Sequence, residues 1–218
     1  MFFKKLRILE NRLFIMNSFL EKLFCIIAID TEHLINSYLT QSELQYLNNS
    51  LKSIKDLNGE FYTTSEGENL EVLLYFLYCH KEDILTLWED EFKKEILVRL
   101  YTSGVISGNY PCFHFDLSKF KQTYKSSGQT LTLYRVGREQ EQKENLGNSW
   151  STSTTGLKNY VQSSSIEVEN NPVFVIEIND SEVLCEGNSR ENELILKKGF
   201  KFNSIKSLDI EQKRQLFE

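Results

Sequence analysis

Proline and glycine are scarce, at 2 and 10 of 218 residues, which rules out a collagen-like or linker-rich chain. Cysteine is equally sparse. The four thiols, Cys25, Cys79, Cys112 and Cys185, are widely spaced, and no Cys-x-x-Cys pair occurs, so neither a disulfide framework nor a zinc ribbon is expected. A reduced, cytoplasmic protein fits that usage. The three histidines, His33, His80 and His114, are scattered, with no zinc spacing and no triad order, and no glycine-rich phosphate loop is present. No metal is expected. Net positive charge is also absent: 25 basic against 31 acidic residues leave −6, so any nucleic-acid contact must be local rather than held by a global basic field. Lys119, Lys121 and Lys125 are the few local candidates.

Long apolar runs are missing too. Phe2-Phe3-Lys4-Lys5 followed by Leu6, Ile8, Leu9, Leu13, Phe14 and Ile15 has the outline of a secretion signal, but Glu10, Arg12, Glu21 and Lys22 interrupt it. Nothing approaches the ~20 residues of a membrane span. A cytosolic amphipathic helix is expected there, with a surface-associating segment as the alternative; no membrane partner is expected, and Met16 is a second possible start.

What the chain does have is 40% hydrophobic and 12% aromatic residues, enough to bury a core. Its length suits one α/β domain, or a smaller catalytic domain behind a helical one. Two regimes are visible, with a boundary near residue 105. Up to Gly104 apolar residues recur at helical spacing, as in Leu44, Leu47, Leu51 and Ile54, or Leu70, Leu73, Leu74 and Leu77. Thr40-Gln41-Ser42-Glu43 marks a helix start, while Asn58-Gly59 and Thr102-Ser103-Gly104 mark stops. Ile84, Leu87, Trp88, Phe92, Ile96, Leu97 and Leu100 share one apolar face, leaving Glu89 to Lys94 as a solvated charge run. His80 and Cys79 close a helix, and His114 between Phe113 and Phe115 is expected to be an ordinary packed histidine.

Beyond Gly104, with Gly108, Pro111 and Gly128 as punctuation, strand patterns take over. Thr130 to Val136 alternates, Val173 to Ile178 reads as buried, and Glu193 to Lys197 forms a third strand. Lys201-Phe202 with Ile205 to Leu208 is its candidate hairpin partner, and a short terminal helix covers Asp209 to Glu218. The expected fold is α+β: a helical region over 1–104, then a sheet-based domain over 105–218.

Three short segments of the second half exceed what core packing requires. In Leu133-Tyr134-Arg135-Val136-Gly137 an arginine lies among apolar neighbours. A buried guanidinium needs an anion, so either a ligand phosphate or a carboxylate in a structural ion pair is expected. Ser149-Trp150-Ser151-Thr152-Ser153 is a hydroxyl cluster that either contacts a ribose, a carboxamide and a carboxylate or forms a polar edge strand. In Glu191-Asn192-Glu193 strand spacing would point both carboxylates into one space, raising a pKa, unless they sit at a solvated strand end.

Taken in order, arginine, a Ser-Thr-Ser strand and Glu-x-Glu before an apolar strand resemble the mono-ADP-ribosyltransferases of the Arg-Ser-Glu class. The resemblance covers roughly residues 128 to 205. It implies a split-sheet catalytic domain that cleaves NAD as co-substrate and passes ADP-ribose to a macromolecular acceptor, protein arginine or RNA. Arg135 would bind an NAD phosphate and the Val136 backbone would meet the nicotinamide amide. Ser151 would support the catalytic Glu193, which steadies the ribose cation, and Thr152 would join the cofactor-binding residues. Glu191 would activate the acceptor, and Gly187 to Arg190 would face it. Tyr160 is either a nicotinamide stacker or a core residue. Two departures stand out: Val136 replaces a frequent glycine, and Trp150 precedes the hydroxyl triplet. Small enzymes of this kind look like bacterial or phage-related toxins and anti-phage effectors, which implies an antitoxin or other protein partner for the helical half. NAD hydrolysis and a non-catalytic binding module are the alternatives.

Overall fold

A computed structural model describes residues 15–59, 67–106 and 112–217. The expected helix over the first fourteen residues, and Gly108 and Pro111, lie outside the described residues. Local signals start the helices of the first half. Asn17 accepts the Leu20 N–H at 2.9 Å to open α1 (Ser18–Ile26), and Asp30 caps α2 (Thr31–His33), which runs into a π-turn at Leu34–Tyr38. Thr40 and Glu43 form the reciprocal capping box expected before α3 (Gln41–Ser50). α4 (Ile54–Leu57) stops at Asn58, and α5 (Glu68–Cys79), α6 (Lys81–Glu89) and α7 (Ile96–Tyr101) follow.

One expectation fails here. The apolar stripe from Ile84 to Leu100 is two helices, because the Asp90 carboxylate takes the Phe92 N–H at 3.0 Å and turns the chain. Phe92 is thereby thrown into solvent at 92% exposure, although its spacing placed it on the buried face.

The second half is a six-stranded antiparallel sheet in the order β4-β5-β2-β1-β3-β6. The strands are β1 (Thr130–Val136), β2 (Ser149–Ser151), β3 (Val173–Asn179), β4 (Val183–Glu186), β5 (Glu193–Leu196) and β6 (Ser204–Ser207). α8 (Thr154–Ser164) follows β2, and α9 (Ile210–Phe217) ends the described chain. The fold is thus mixed α and β. The hairpin partner of β5 is β4, whereas Ser204–Ser207 pairs with β3 at the far edge. The segment 197–203 carries the chain across the sheet, which pairing patterns in sequence do not specify.

Register decides which side chains share a face. Leu133 pairs with Ile176 and Arg135 with Phe174, and these join Trp150 and Leu194 in one apolar layer. Tyr134 pairs with Ser151, and Ser151 with Glu193, on the opposite face. Leu184, Cys185 and Ile195 pack into the same core as Leu20, Leu73 and Leu97, so the hydrophobic interior is continuous across residue 105. The change of texture there is a change of secondary structure laid over one core.

Candidate active site

Glu193, Glu191, Tyr160, Ser151, Val136 and Arg135 all line one narrow cleft, together with Tyr134, Ser149, Trp150 and Leu157. Six of the seven residues expected to form a site are therefore neighbours. Thr152 is not: it is exposed, and its hydroxyl donates to the Asn192 carbonyl at 3.2 Å.

Glu193 is 8% exposed at the head of β5. Its Oε1 accepts the Ser149 hydroxyl and its Oε2 accepts the Asn188 N–H at 2.7 Å. Two donors thus fix the carboxylate in place. The loop allows this only because residue 187 has no side chain: a Cβ there would overlap the Glu193 carboxylate.

Ser151 does not support Glu193. Its hydroxyl lies 2.8 Å from the Ser153 carbonyl and 2.7 Å from that of Glu191, so it stitches β2 to the turn before β5. The supporting hydroxyl is Ser149, two residues earlier on the same face, so the working hydroxyl frame is Ser149-Trp150-Ser151.

Glu191 is not on the strand. It ends a 3-10 turn, Ser189–Glu191, and Asn192 in the left-handed region (φ 47°) reverses the chain before Glu193. The two carboxylates still approach one another. Burial, then the charge of Glu193, push the Glu191 carboxyl up, while the Ser163 hydroxyl at 3.2 Å pulls the other way.

Here the comparisons with known proteins add nothing: no family model, no curated protein and no solved structure matches the chain.

Arg135 takes the second of its two expected forms. Its Nε and one Nη reach the two carboxylate oxygens of Glu141 at 2.6 and 2.9 Å, and the other Nη donates to the Ser149 carbonyl at 2.8 Å. Burial works against its charge, yet Glu141 more than compensates, so the guanidinium is held protonated. Burial likewise pushes the Glu141 carboxyl up, but Arg135 and the Gly147 and Arg138 N–H groups bring it below its ordinary value. By strand alternation Arg135 falls on the side of the sheet opposite Ser151 and Glu193, although it still borders the cleft that Glu193 lines. The phosphate-binding role expected of it is corrected to that of a strut, which carries the backbone of Ser149 and so the hydroxyl that holds Glu193.

Glu141 and Tyr101 are not legible as site residues, and Ser149 is legible only as one hydroxyl of its cluster. Glu141 sits in a charged loop, Glu139 to Glu144, that reads as solvated. Tyr101 ends a helix of the first half, yet its half-buried phenol is pushed up by desolvation and feels the charges of Arg135 and Glu193. Tyr160 lines the cleft from α8, and burial pushes its phenol up. Among the described residues no group of three His, Cys, Asp or Glu side chains is gathered as a metal would need.

Proposed function

We propose that this chain cleaves NAD and transfers ADP-ribose to a macromolecular acceptor. The observation that carries the reading is Glu193: a buried carboxylate held by the Ser149 hydroxyl and the Asn188 N–H, with a second carboxylate beside it. The resemblance to the Arg-Ser-Glu class supports it through Glu193 and Glu191, with its serine read as Ser149 and its arginine, Arg135, as the strut beneath that serine.

The chemistry follows from charge. The bond between nicotinamide nitrogen and ribose C1′ breaks, nicotinamide leaves neutral with the electron pair, and C1′ becomes cationic. A fixed, buried carboxylate at Glu193 stabilises that cation more than water does, because it needs no reorganisation. The acceptor nucleophile then forms a bond to C1′ and gives its proton to Glu191, whose raised pKa suits a general base. Tyr160 and Tyr134 offer aromatic faces for the nicotinamide ring. The acceptor class is a protein guanidinium or an RNA base, and the helical half holds either the acceptor or a protein partner such as an antitoxin.

A second reading is favoured by the Arg135–Glu141 pair. A fully compensated arginine is what a structural sheet needs, so a non-catalytic binding module would carry the same bonds. One substitution separates the two. Labelled NAD should transfer its label to protein or RNA of a lysate with the wild-type chain, and Glu193→Gln should lower this at least about 100-fold, the scale of losing one preorganised charge-stabilising group. Free ADP-ribose as the sole product would convert the reading to NAD hydrolysis. Equal turnover by wild type and variant would favour the binding module.

A further inference from the structure

The chain carries −6 overall, yet one edge of its sheet is basic. Thr123 and Tyr124 both donate their N–H to the Leu184 carbonyl, at 3.0 and 3.2 Å, so residues 119–125 lie along the outer edge of β4. The turn after β5 comes to the same edge. Lys197 donates its N–H to the Glu182 carbonyl at 2.9 Å, and the Lys201 N–H reaches the Glu182 carboxylate at 3.1 Å, which places residues 197–201 beside the start of β4. Six lysines are brought together in this way: Lys119, Lys121 and Lys125 from the first segment, and Lys197, Lys198 and Lys201 from the second. The Asp116 carboxyl, held low first by the Ser118 hydroxyl, also feels Lys198 and Lys119, so the two segments share one field.

None of the six is in an ion pair among the described residues, and Lys121, Lys125, Lys198 and Lys201 are exposed. Lys119 gives one donor to the Cys25 carbonyl at 3.2 Å. Residues 116–125, 182–186 and 197–201 contain only three carboxylates, Asp116, Glu182 and Glu186, against these six cations. Aromatic rings stand between the lysines. Tyr124 and Phe200 are half-buried, rooted in the apolar layer of Trp150, with Phe200 edge-on to that indole at 6.0 Å. Cations for phosphates and half-open rings for bases are what a single-stranded nucleic acid needs, whereas a duplex keeps its bases stacked inside. An arginine-bearing protein acceptor would be repelled by the same strip. β4 leads from the strip to Gly187 and to Asn188, whose N–H holds Glu193. Its four residues span ~13 Å, so a strand bound along this edge passes close to the cleft.

We propose that this strip of lysines and aromatics docks single-stranded RNA, and that RNA is the acceptor of the reaction. The proposal rests on the ADP-ribose-transfer reading above and deepens it by choosing between its two acceptor classes.

Fluorescence anisotropy of a labelled single-stranded RNA of mixed sequence, titrated with the full chain and no NAD, reads the docking alone. Wild type should bind in the micromolar range, and log K should fall against log salt with a slope of about −4, from six lysines at about 0.7 per phosphate of a single strand. Lys121→Glu with Lys198→Glu should weaken binding about tenfold or more and bring the slope near −3, two phosphate contacts fewer. Tyr124→Leu should weaken binding about tenfold with the slope unchanged, the mark of lost base stacking. Both lysines are exposed, so the melting temperature of the double variant should match wild type. Unchanged binding by that variant, or wild-type binding to phosphatidylserine vesicles or duplex DNA as tight as to the single strand, overturns the docking face. With labelled NAD and the same RNA, wild type should label the RNA, and the double variant should label it about tenfold less at unchanged nicotinamide release without acceptor. Label found on protein alone overturns RNA as the acceptor while the NAD-cleaving reading stands. RNA bound through the strip with no cleavage of NAD overturns that reading, and the acceptor with it, but leaves the docking face in place.

Discussion

Removing the Glu141 carboxylate should destabilise the protein more than any surface substitution, and the structure gives the scale. The two side chains are 14% and 7% exposed, and the pair is bidentate at 2.6 and 2.9 Å. With charge centres roughly 4 Å apart and an effective dielectric near 20, the attraction is about 4 kcal/mol. Glu141→Ala forfeits this and leaves a guanidinium buried with only the Ser149 carbonyl, and orphaning one member of a buried pair costs about 3–5 kcal/mol. That is a large part of the roughly 5–15 kcal/mol that holds a domain folded. Urea unfolding followed by circular dichroism would read it as a lower midpoint at unchanged slope. Replacing both partners, as in Arg135→Met with Glu141→Leu, should recover much of the loss, because no charge is then stranded. A cost for Glu141→Ala below about 1 kcal/mol, the range of exposed pairs, would refute the strut and reopen Arg135 as a ligand-binding cation.

The same carboxylate fixes an acid limb. Its folded pKa lies below the ordinary glutamate value, so its contribution is complete above that value and is lost as pH falls through the lower folded one. Thermal melts should accordingly be flat near neutrality and decline in acid, and Glu141→Gln should flatten part of the decline. Glu191 has the opposite sign: its pKa is raised by burial and by Glu193, so its ionised form opposes folding above the raised value. Glu191→Gln should therefore raise the melting temperature at pH 7 more than at pH 4, and an equal effect at both would remove the carboxylate–carboxylate repulsion from the account. Ser163→Ala removes the hydrogen bond that lowers Glu191, so the rise in transfer activity as pH climbs out of the acid range should move to higher pH. Gly187→Ala places a methyl group against the Glu193 carboxylate and should cost about 1–3 kcal/mol or displace the glutamate, seen as lost NAD cleavage at retained fold.

Sequence periodicity carried the elements whose environment is local. The Thr40 capping box, the stops at Asn58 and Tyr101, and β1 and β3 depend on nearby residues, and they stand where the pattern puts them. The chemistry-bearing segments also converge on one cleft as their order suggested. What escaped is the pairing. A three-residue strand such as Ser149–Ser151 fixes its register only against β5, so nothing in Ser149-Trp150-Ser151-Thr152-Ser153 tells which hydroxyl meets Glu193. Likewise Val183–Glu186 is too short to announce itself as the partner of β5, and the partner of Arg135 came from a loop whose charges look solvated.

The arrangement also explains why the helical half cannot be treated as an appendage. β5 presents Glu193 and Ile195 on one face, and Ile195 is wholly buried against the helical core with Leu184 and Cys185. A strand anchored two residues from the Glu193 carboxylate transmits any loosening of that core to the carboxylate itself. Truncating Leu97 or Leu100, both at most 1% exposed, should therefore impair the site without touching it. Each substitution to alanine should cost about 2–5 kcal/mol of stability. If the residues from 105 onward were instead excised and kept both their fold and their NAD cleavage, the shared core would have no part in holding Glu193.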